Sequence, residues 1–168
     1  AKDAPFNIAN YIIIEESEKM NSLIMRLMEY MHFSSGAYKA NRSVFNIREL
    51  LGEILESRSL QLKEKNAQII FDVNEAFMGF SDTILVENIF NNYLSNAISH
   101  LDFENIIRVT AVDEGASYRI SVFNSGKPIP GTDIENIWQD FYRADKSHSR
   151  AEGRFGLGLS FVSTMQEI

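Results

Sequence analysis

Residues 88–100 read NIFNNYLSNAISH, and this stretch decides how the rest of the chain is interpreted. Its apolar residues recur three and four positions apart, which predicts an amphipathic helix. Asn disfavours helix interiors because its amide competes for backbone groups, yet Asn occupies four positions here. Asn88, Asn92 and Asn96 are four apart and share one helix face, whereas Asn91 lies off that face and is predicted to be solvated. An amide oxygen on this face could ligate Mg²⁺; a solvated polar face is the alternative.

A second polar motif, VFNSGKPIP, occupies residues 122–130. It reads as a strand that ends at Asn124 and enters a loop rich in Gly and Pro. A short polar side chain beside Gly126, which has no Cβ, suits recognition of the edge of a flat base. An ordinary turn is the alternative, because Asn-Ser-Gly and Lys-Pro are common in turns.

A third motif, AEGRFGLGLSFV, covers residues 151–162 and places glycines before an apolar helix. Backbone N–H groups at such a helix start can converge on phosphate oxygens, where the helix dipole adds partial positive charge. Residues 142–154 contain four Lys or Arg against two Asp or Glu. This predicts a local anion site, with a solvated surface loop as the alternative.

Composition restricts the function further. The 168 residues are 45 % hydrophobic and 23 % charged, as expected for a folded domain with an accessory element. The net charge of -7 argues against a broad nucleic-acid-binding face. The absence of Cys excludes disulfides and thiolate metal sites, and it fits a reducing cytosol. No apolar run is long enough to span a membrane, so any anchor is expected outside this sequence.

The remaining sequence predicts two parts. Apolar spacing over residues 8–33 predicts a long amphipathic helix, and small polar residues at 34–43 predict a linker. We therefore divide the chain into residues 1–36 and 37–168. The second part predicts a strand at SVFNI, a helix over 48–65, a strand at AQIIFDV, the Asn-rich helix, a β-hairpin turning at 113–116, a short helix over 134–141 and a final helix led by Gly. This order predicts an α+β fold, a two-layer α/β sandwich with a mixed sheet and helices on one face.

Four segments carry a family resemblance through their order. NYLSNA, NSGKPIP, IWQDFYRADKSHSR and GRFGLGLS resemble the N, G1, F and G2 boxes of the ATP-binding catalytic domain of two-component sensor histidine kinases. These kinases belong to a superfamily that includes gyrase-type and chaperone ATPases, with a Bergerat-type ATP-binding fold. The sequence of these segments most resembles that of the Gram-positive branch of vancomycin-resistance sensors. Residues 1–36 are similar to the second helix of the kinase dimerisation and phosphoacceptor hairpin.

The resemblance implies a role for each matching residue. Asn96 would hold Mg²⁺, while Asn92 would lie at the phosphates and, with Lys146, serve catalysis. The base pocket would be formed by His100, Asn124, Gly126 and Ile129. Residues 142–155 would form a mobile lid, in which Tyr142, Arg143 and Lys146 would contact the nucleotide. Backbone N–H groups of Gly156, Leu157 and Gly158 would bind phosphates.

Three departures from the family pattern also matter. The family usually has Asp at the position of Asn124 and Lys at that of Ser99, which predicts a weaker adenine contact and a lost phosphate contact. The phosphoacceptor motif, with its His, is not found in the sequence. The C-terminal strands of the family, which would follow Ile168, are not found either. We therefore expect the chain to be a fragment of a larger sensor.

The implied reaction is transfer of the γ-phosphoryl group of Mg-ATP to a histidine of the dimerisation domain, for relay to a response-regulator aspartate. The intact protein is expected to be a homodimer through the N-terminal helix and a bacterial plasma-membrane sensor, of which this chain is a cytoplasmic domain. One alternative is an ATP hydrolase of the same superfamily. Such enzymes carry a Glu at the position of Asn92, whose amide cannot act as a general base, and Glu87 falls on a different face. The other alternative is a nucleotide-insensitive dimerising scaffold.

Overall fold

The computed structural model describes residues 4–143 and 156–168, with side chains from residue 10 onward. Its helices are α1 (Ala4–Ser34), α2 (Ile47–Ser57), α3 (Ser59–Glu64), α4 (Thr83–Ser99) and α5 (Gly158–Gln166). Its strands are β1 (Ser43–Asn46), β2 (Gln68–Asp72), β3 (Met78–Ser81), β4 (Ile106–Asp113) and β5 (Tyr118–Asn124). The long N-terminal helix, the Asn-rich helix, the hairpin and the final helix are all present where the sequence predicts them.

The central sheet is mixed. Strand β4 lies in the middle, parallel to β2 with Gln68 opposite Ile106 and antiparallel to β5 with Ile107 opposite Asn124. The predicted two-layer α/β fold with a mixed sheet is therefore confirmed. Strands β1 and β3 form a separate antiparallel pair, with Val44 opposite Phe80. The sequence did not predict β3, because MGFS is short and contains a Gly that weakens the strand signal.

The main core fixes the orientation of α4. Ile107 and Val109 point from β4 toward the helices, where Leu51 of α2 and Phe90 and Leu94 of α4 are also almost fully buried. Each such side chain contributes about 1.5–3 kcal/mol through removal of its apolar surface from water. Because this stripe of α4 faces the sheet, the Asn side chains must lie on its other faces.

Asp82 fixes the start of α4. Its Oδ1 accepts hydrogen bonds from the backbone N–H groups of Ile84 at 2.9 Å and Leu85 at 3.3 Å. Its Oδ2 accepts one from the Tyr38 hydroxyl at 2.8 Å and one from the Asn41 N–H at 2.7 Å. Burial opposes ionisation of this carboxyl, but the bonds from Asn41, Tyr38 and the first turn of α4 outweigh it and lower the pKa of Asp82. The predicted linker is thus bonded to the helix that carries the Asn residues.

A second, smaller core joins α1 to the rest of the chain. It contains buried Phe33 from the end of α1, Leu85 of α4, and Phe161 and Met165 of α5. This core crosses the predicted division between residues 36 and 37, which itself stays a prediction. Before this point α1 exposes an apolar surface, formed by Tyr11, Ile12, Ile13, Ile14, Met20, Ile24, Met25, Leu27, Met28 and Met31. Over the described ranges, none of the helices combines the length and hydropathy that crossing a bilayer requires.

Two helix predictions were wrong in extent. The helix predicted over 48–65 is interrupted at Arg58, which separates α2 from α3. The helix predicted over 134–141 is only a single 3₁₀ turn, Asn136–Trp138. The chain leaves helical conformation at Gln139, which is extended, and Phe141 then adopts a φ of 62°. Local turn geometry therefore replaces the helix that the apolar spacing suggested.

Candidate functional site

Asn88, Asn92 and Asn96 form a row along the face of α4 that the core leaves free, and we call it the Asn row. The Nδ2 of Asn88 donates to the carbonyl of Ile84 at 3.0 Å, and that of Asn92 donates to the carbonyl of Asn88 at 2.9 Å. These bonds occupy N–H groups and leave the amide oxygens as acceptors. The prediction that Asn91 is solvated was wrong, because its Oδ1 accepts from Arg58 Nε at 3.3 Å and Nη2 at 3.1 Å.

The start of α5 packs against this row. A Cβ added to Gly158 would lie 3.2 Å from Asn92 Oδ1 and 4.0 Å from Asn96 Nδ2. No described side chain caps α5, and the first N–H groups of a helix have no partners within it. The predicted phosphate-binding residues Leu157 and Gly158 are thus brought to Asn92 and Asn96. Together, free N–H groups and amide oxygens suit a phosphate with its bound cation.

The other end of the row meets the end of β5. Asn124 Nδ2 donates to the carbonyl of His100 at 3.0 Å, and a Cβ on Gly126 would lie 1.9 Å from that carbonyl oxygen. Ser125 is buried and exchanges two hydrogen bonds with Ile106, each of 2.9 Å, which fixes the turn. The structure therefore brings Asn96, His100, Asn124 and Gly126 to one end of α4.

The loop residue Ile129 lies further from the core and is 47 % exposed. The His100 side chain is also exposed. Both side chains are therefore accessible to a ligand.

The two ends of the predicted lid meet. The N–H of Phe141 donates to the carbonyl of Gly156 at 3.0 Å. Gly156 has a φ of 71°, and a Cβ on it would lie 2.7 Å from the carbonyl oxygen of Tyr142, so both backbone conformation and space require Gly.

Partial burial and the adjacent Asp133 carboxylate raise the pKa of Tyr142. The side chain of Arg143 borders Gly156. Lys146 lies outside the described residues.

The described residues fit Mg²⁺ only in company with a nucleotide. They contain no group of three His, Cys, Asp or Glu side chains that could enclose a metal ion. Asn96 is half-buried and offers one amide oxygen. Mg²⁺ keeps several waters and is commonly bound by one or two protein oxygens together with substrate phosphates. A site with one amide beside a phosphate-binding helix start matches that chemistry.

The family follows from this arrangement and from sequence comparison. The profile of the histidine kinase-, DNA gyrase B- and HSP90-like ATPases matches residues 81–168, which is more than half of the chain. The chain belongs to this family. The match includes all three sequence motifs, and the predicted resemblance to the ATP-binding domain of a sensor histidine kinase is confirmed.

Individual relatives of this ATPase domain are sensor kinases. Sensor protein VanSB of Enterococcus faecalis is 25 % identical over 89 % of this chain and 33 % of its own length. Sensor protein CzcS of Cupriavidus metallidurans is 29 % identical over 93 % of this chain and 33 % of its own length. The chain thus spans about a third of the curated relatives. Because CzcS matches as well as VanSB does, these identities do not single out the vancomycin-sensor branch.

Solved structures support the same fold. The catalytic domain of histidine kinase ThkA is 29 % identical, with a TM-score of 0.66 over 76 % of this chain and 80 % of that one. Full-length ShkA, solved in complex with AMPPNP, has a TM-score of 0.79 over 93 % of this chain and 32 % of that one, at 21 % identity. The second match shows a shared fold that extends over nearly all of this chain.

Two polar residues of this ATPase domain escaped sequence analysis. Sequence analysis assigns no role to Asp82, and it treats Arg58 as part of a continuous helix. Arg58 bonds to Asn91, which is 33 positions further along the chain. No local pattern carries such a contact, although an Arg at the junction of two predicted helices could have prompted a search for it.

Proposed function

We propose that this domain binds Mg-ATP along the Asn row of α4. The adenine would lie at the His100 end, and the phosphates would lie at the start of α5. The observation that carries this proposal is that Gly126 lies against His100 and Gly158 lies against Asn92 and Asn96, each at a contact that a Cβ would disturb. Glycines at both ends permit close backbone approach to a ligand, which suits a long flat-headed anion.

Each residue of the site has a specific task in this proposal. Asn124 would meet the adenine edge, with Gly126, Ile129 and His100 around the ring. Asn92 would orient the phosphates. The backbone of Gly156, Leu157 and Gly158 would donate N–H groups to them, and Tyr142, Arg143 and Lys146 would make further contacts from the lid. Asn96 would hold Mg²⁺, which neutralises phosphate charge when bound.

For the longer protein we propose histidine kinase activity. An imidazole nitrogen of the dimerisation domain would attack the γ-phosphorus, the bond from that phosphorus to the bridging oxygen would break, and ADP would leave. A response-regulator aspartate would then take the phosphoryl group. Histidine kinase ThkA has been solved in complex with response regulator protein TrrA, which supports this kind of partner.

The N-terminal helix supports a homodimer in the intact protein. Its apolar surface is exposed over most of its length, and dimerising helices cover surfaces of that kind. We also propose that the longer protein is a bacterial membrane sensor whose anchoring segments precede residue 1, and that this domain lies on the cytoplasmic side.

Helix α4 supplies no general base for the hydrolase alternative. Hydrolysis requires a base that activates water, but Asn92 presents an amide toward Gly158. Glu87 is exposed on α4, nine positions before Asn96. No described carboxylate of α4 is therefore placed beside the row to remove a proton from water.

A two-stage experiment tests the proposal. The chain is first titrated with a fluorescent ATP analogue and Mg²⁺, for which we expect saturable binding that unlabelled ATP displaces. Labelled ATP is then supplied together with a separate kinase dimerisation hairpin. Acid-labile, base-stable label on the hairpin indicates histidine phosphorylation. Release of phosphate without labelled hairpin would support a hydrolase, and no saturable binding would support the scaffold.

A further inference from the structure

A cavity adjoins the Asn row on the side away from His100. It has a volume of about 150 Å³ and lies between α1, the α2–α3 junction, α4 and the start of α5. Asn92 and Gly158 line it, and so do Arg26, Glu29 and Arg58, which the proposed function does not use. The cavity is therefore continuous with the proposed phosphate end of the site.

The geometry of α4 indicates which part of a nucleotide reaches this cavity. An α-helix rises 1.5 Å per residue, so Asn92 lies about 12 Å before His100 along the axis. With the base at His100, the phosphate chain runs along α4 toward Asn92. The terminal phosphate is the group that arrives at the cavity.

The described residues that line the cavity carry a net positive charge. Arg26 and Arg58 line it against one carboxylate, that of Glu29. The ion pairs in the described part of the chain join Lys19 to Glu15 and Glu16, and Arg119 to Glu114. Neither cavity arginine is therefore ion-paired there.

Arg58 is the better placed of the two. It is half-buried, whereas Arg26 is exposed. Its guanidinium donates to the Oδ1 of Asn91 through Nε and Nη2, and to the Oε1 of Gln61 through Nη1 at 3.5 Å. Both acceptors are neutral, so they orient the guanidinium without cancelling its charge. An oriented arginine of this kind is suited to a phosphate oxygen.

The helix itself does not supply this charge. Ser99 stands where related kinases have Lys, and its hydroxyl donates to the carbonyl of Ser95 at 2.7 Å. We propose that Arg58 binds the terminal phosphate of Mg-ATP and that Asn91 positions its guanidinium. This proposal rests on the proposed function, and it adds a cation from outside the four motifs.

Isothermal titration of the Arg58→Gln variant with Mg-ATP and with Mg-ADP tests this role. ADP lacks the terminal phosphate, so we expect Mg-ATP affinity to fall about tenfold or more while Mg-ADP affinity changes less than about twofold. Arg58 caps α2 through its backbone N–H, which the substitution retains. Arg108→Gln is the matched control, because Arg108 lies on the exposed face of β4 beside Phe123. It should leave both affinities unchanged.

The outcomes separate the two proposals. If the unmodified chain binds neither nucleotide, the proposed function itself fails. If it binds both and Arg58→Gln weakens both equally, or neither, the role of Arg58 is overturned while nucleotide binding stands. Should Arg58→Gln not fold, Asn91→Ala gives a second test. A selective but smaller loss of Mg-ATP affinity supports the proposal, and unchanged affinity contradicts it.

Discussion

The two ends of the proposed site, one at His100 and one around Asn92 in the middle of α4, are lined by different chemical groups. At the His100 end, Asn124 and Gly126 pack against a backbone carbonyl, and the contacts are close and uncharged. Near Asn92, amide groups and two arginines line an open cavity. The first end can select a ligand by shape, because added volume has nowhere to go. The second can select by charge, because it has room and its described lining residues carry a net positive charge. Substitutions should therefore act through packing at one end and through electrostatics at the other.

The largest effect is expected for Gly126→Ala, which tests the shape-selective end. The added Cβ would lie 1.9 Å from the His100 carbonyl oxygen, so the turn must move. We expect a loss of about 1–3 kcal/mol in the free energy of unfolding and of at least about tenfold in nucleotide affinity. Urea denaturation and titration with the fluorescent analogue measure these changes. Gly131→Ala is the control, since no atom beyond its chain neighbours lies within 4 Å of its added Cβ.

A smaller effect is expected for Asn96→Ala, which tests the metal contact between the two ends. Removal of the amide oxygen should reduce nucleotide affinity about tenfold in the presence of Mg²⁺ and hardly at all in EDTA. Titrations with and without Mg²⁺ give the comparison. Asn10→Ala is the matched control, because Asn10 is exposed on α1 and is not among the residues that line the cavity. Equal losses with and without Mg²⁺ would remove Asn96 from metal binding.

Asp82→Asn tests how the start of α4, the helix that carries the charge-selective end of the site, is held in place. We expect a loss of about 1–2 kcal/mol in stability at pH 7, because an Nδ2 group in place of Oδ2 cannot accept the hydrogen bonds from Tyr38 and Asn41. Since the pKa of Asp82 is lowered by folding, its charge stabilises the fold above the unfolded value of about 3.9. That contribution is lost as pH falls through the folded pKa. Urea denaturation at pH 7 and pH 3 should therefore show a difference from the unmodified chain that shrinks in acid. A constant difference would contradict the assignment.

The smallest effect is expected for Asn124→Asp, which introduces charge at the uncharged end. The substitution replaces the donor to the His100 carbonyl with an oxygen, so we expect stability to fall by about 1 kcal/mol. A carboxylate also accepts the adenine amino proton more strongly than an amide does, which should offset part of the loss in the nucleotide-bound protein. Thermal unfolding without Mg-ATP measures the loss of stability, and thermal unfolding with Mg-ATP measures the part of that loss that nucleotide binding offsets. Increased stability of the free protein would show that the Asn124 bond contributes nothing.

Sequence patterns predicted the parts of the molecule that local periodicity controls. The apolar spacing of α4 and the alternation of β4 and β5 around a Gly-containing turn placed these elements correctly. The order of the four motifs also predicted the family. The site was predictable to the extent that each motif contains its own ligand type, as in the Asn row and the glycines before α5.

Contacts between distant segments could not be predicted in this way. Strand β3 exists because it pairs with β1, and its sequence alone has little strand character. The half-buried state of Asn91 depends on Arg58, and the bonding of Asp82 depends on Tyr38 and Asn41. Each of these pairs forms only after the chain has folded, so no period of three, four or two residues reveals it.

The central claim is that one nucleotide extends along α4 from Gly126, which lies beside His100, to Gly158, which lies beside Asn92. The most direct test is a titration of the ¹⁵N-labelled chain with Mg-ATP that follows the amide resonances of both glycines, with Gly115 of the hairpin turn as an internal reference. We predict that Gly126 and Gly158 shift and saturate at the same nucleotide concentration while Gly115 does not move. Saturation of only one of the two glycines, or no saturable shift at either, would contradict the account.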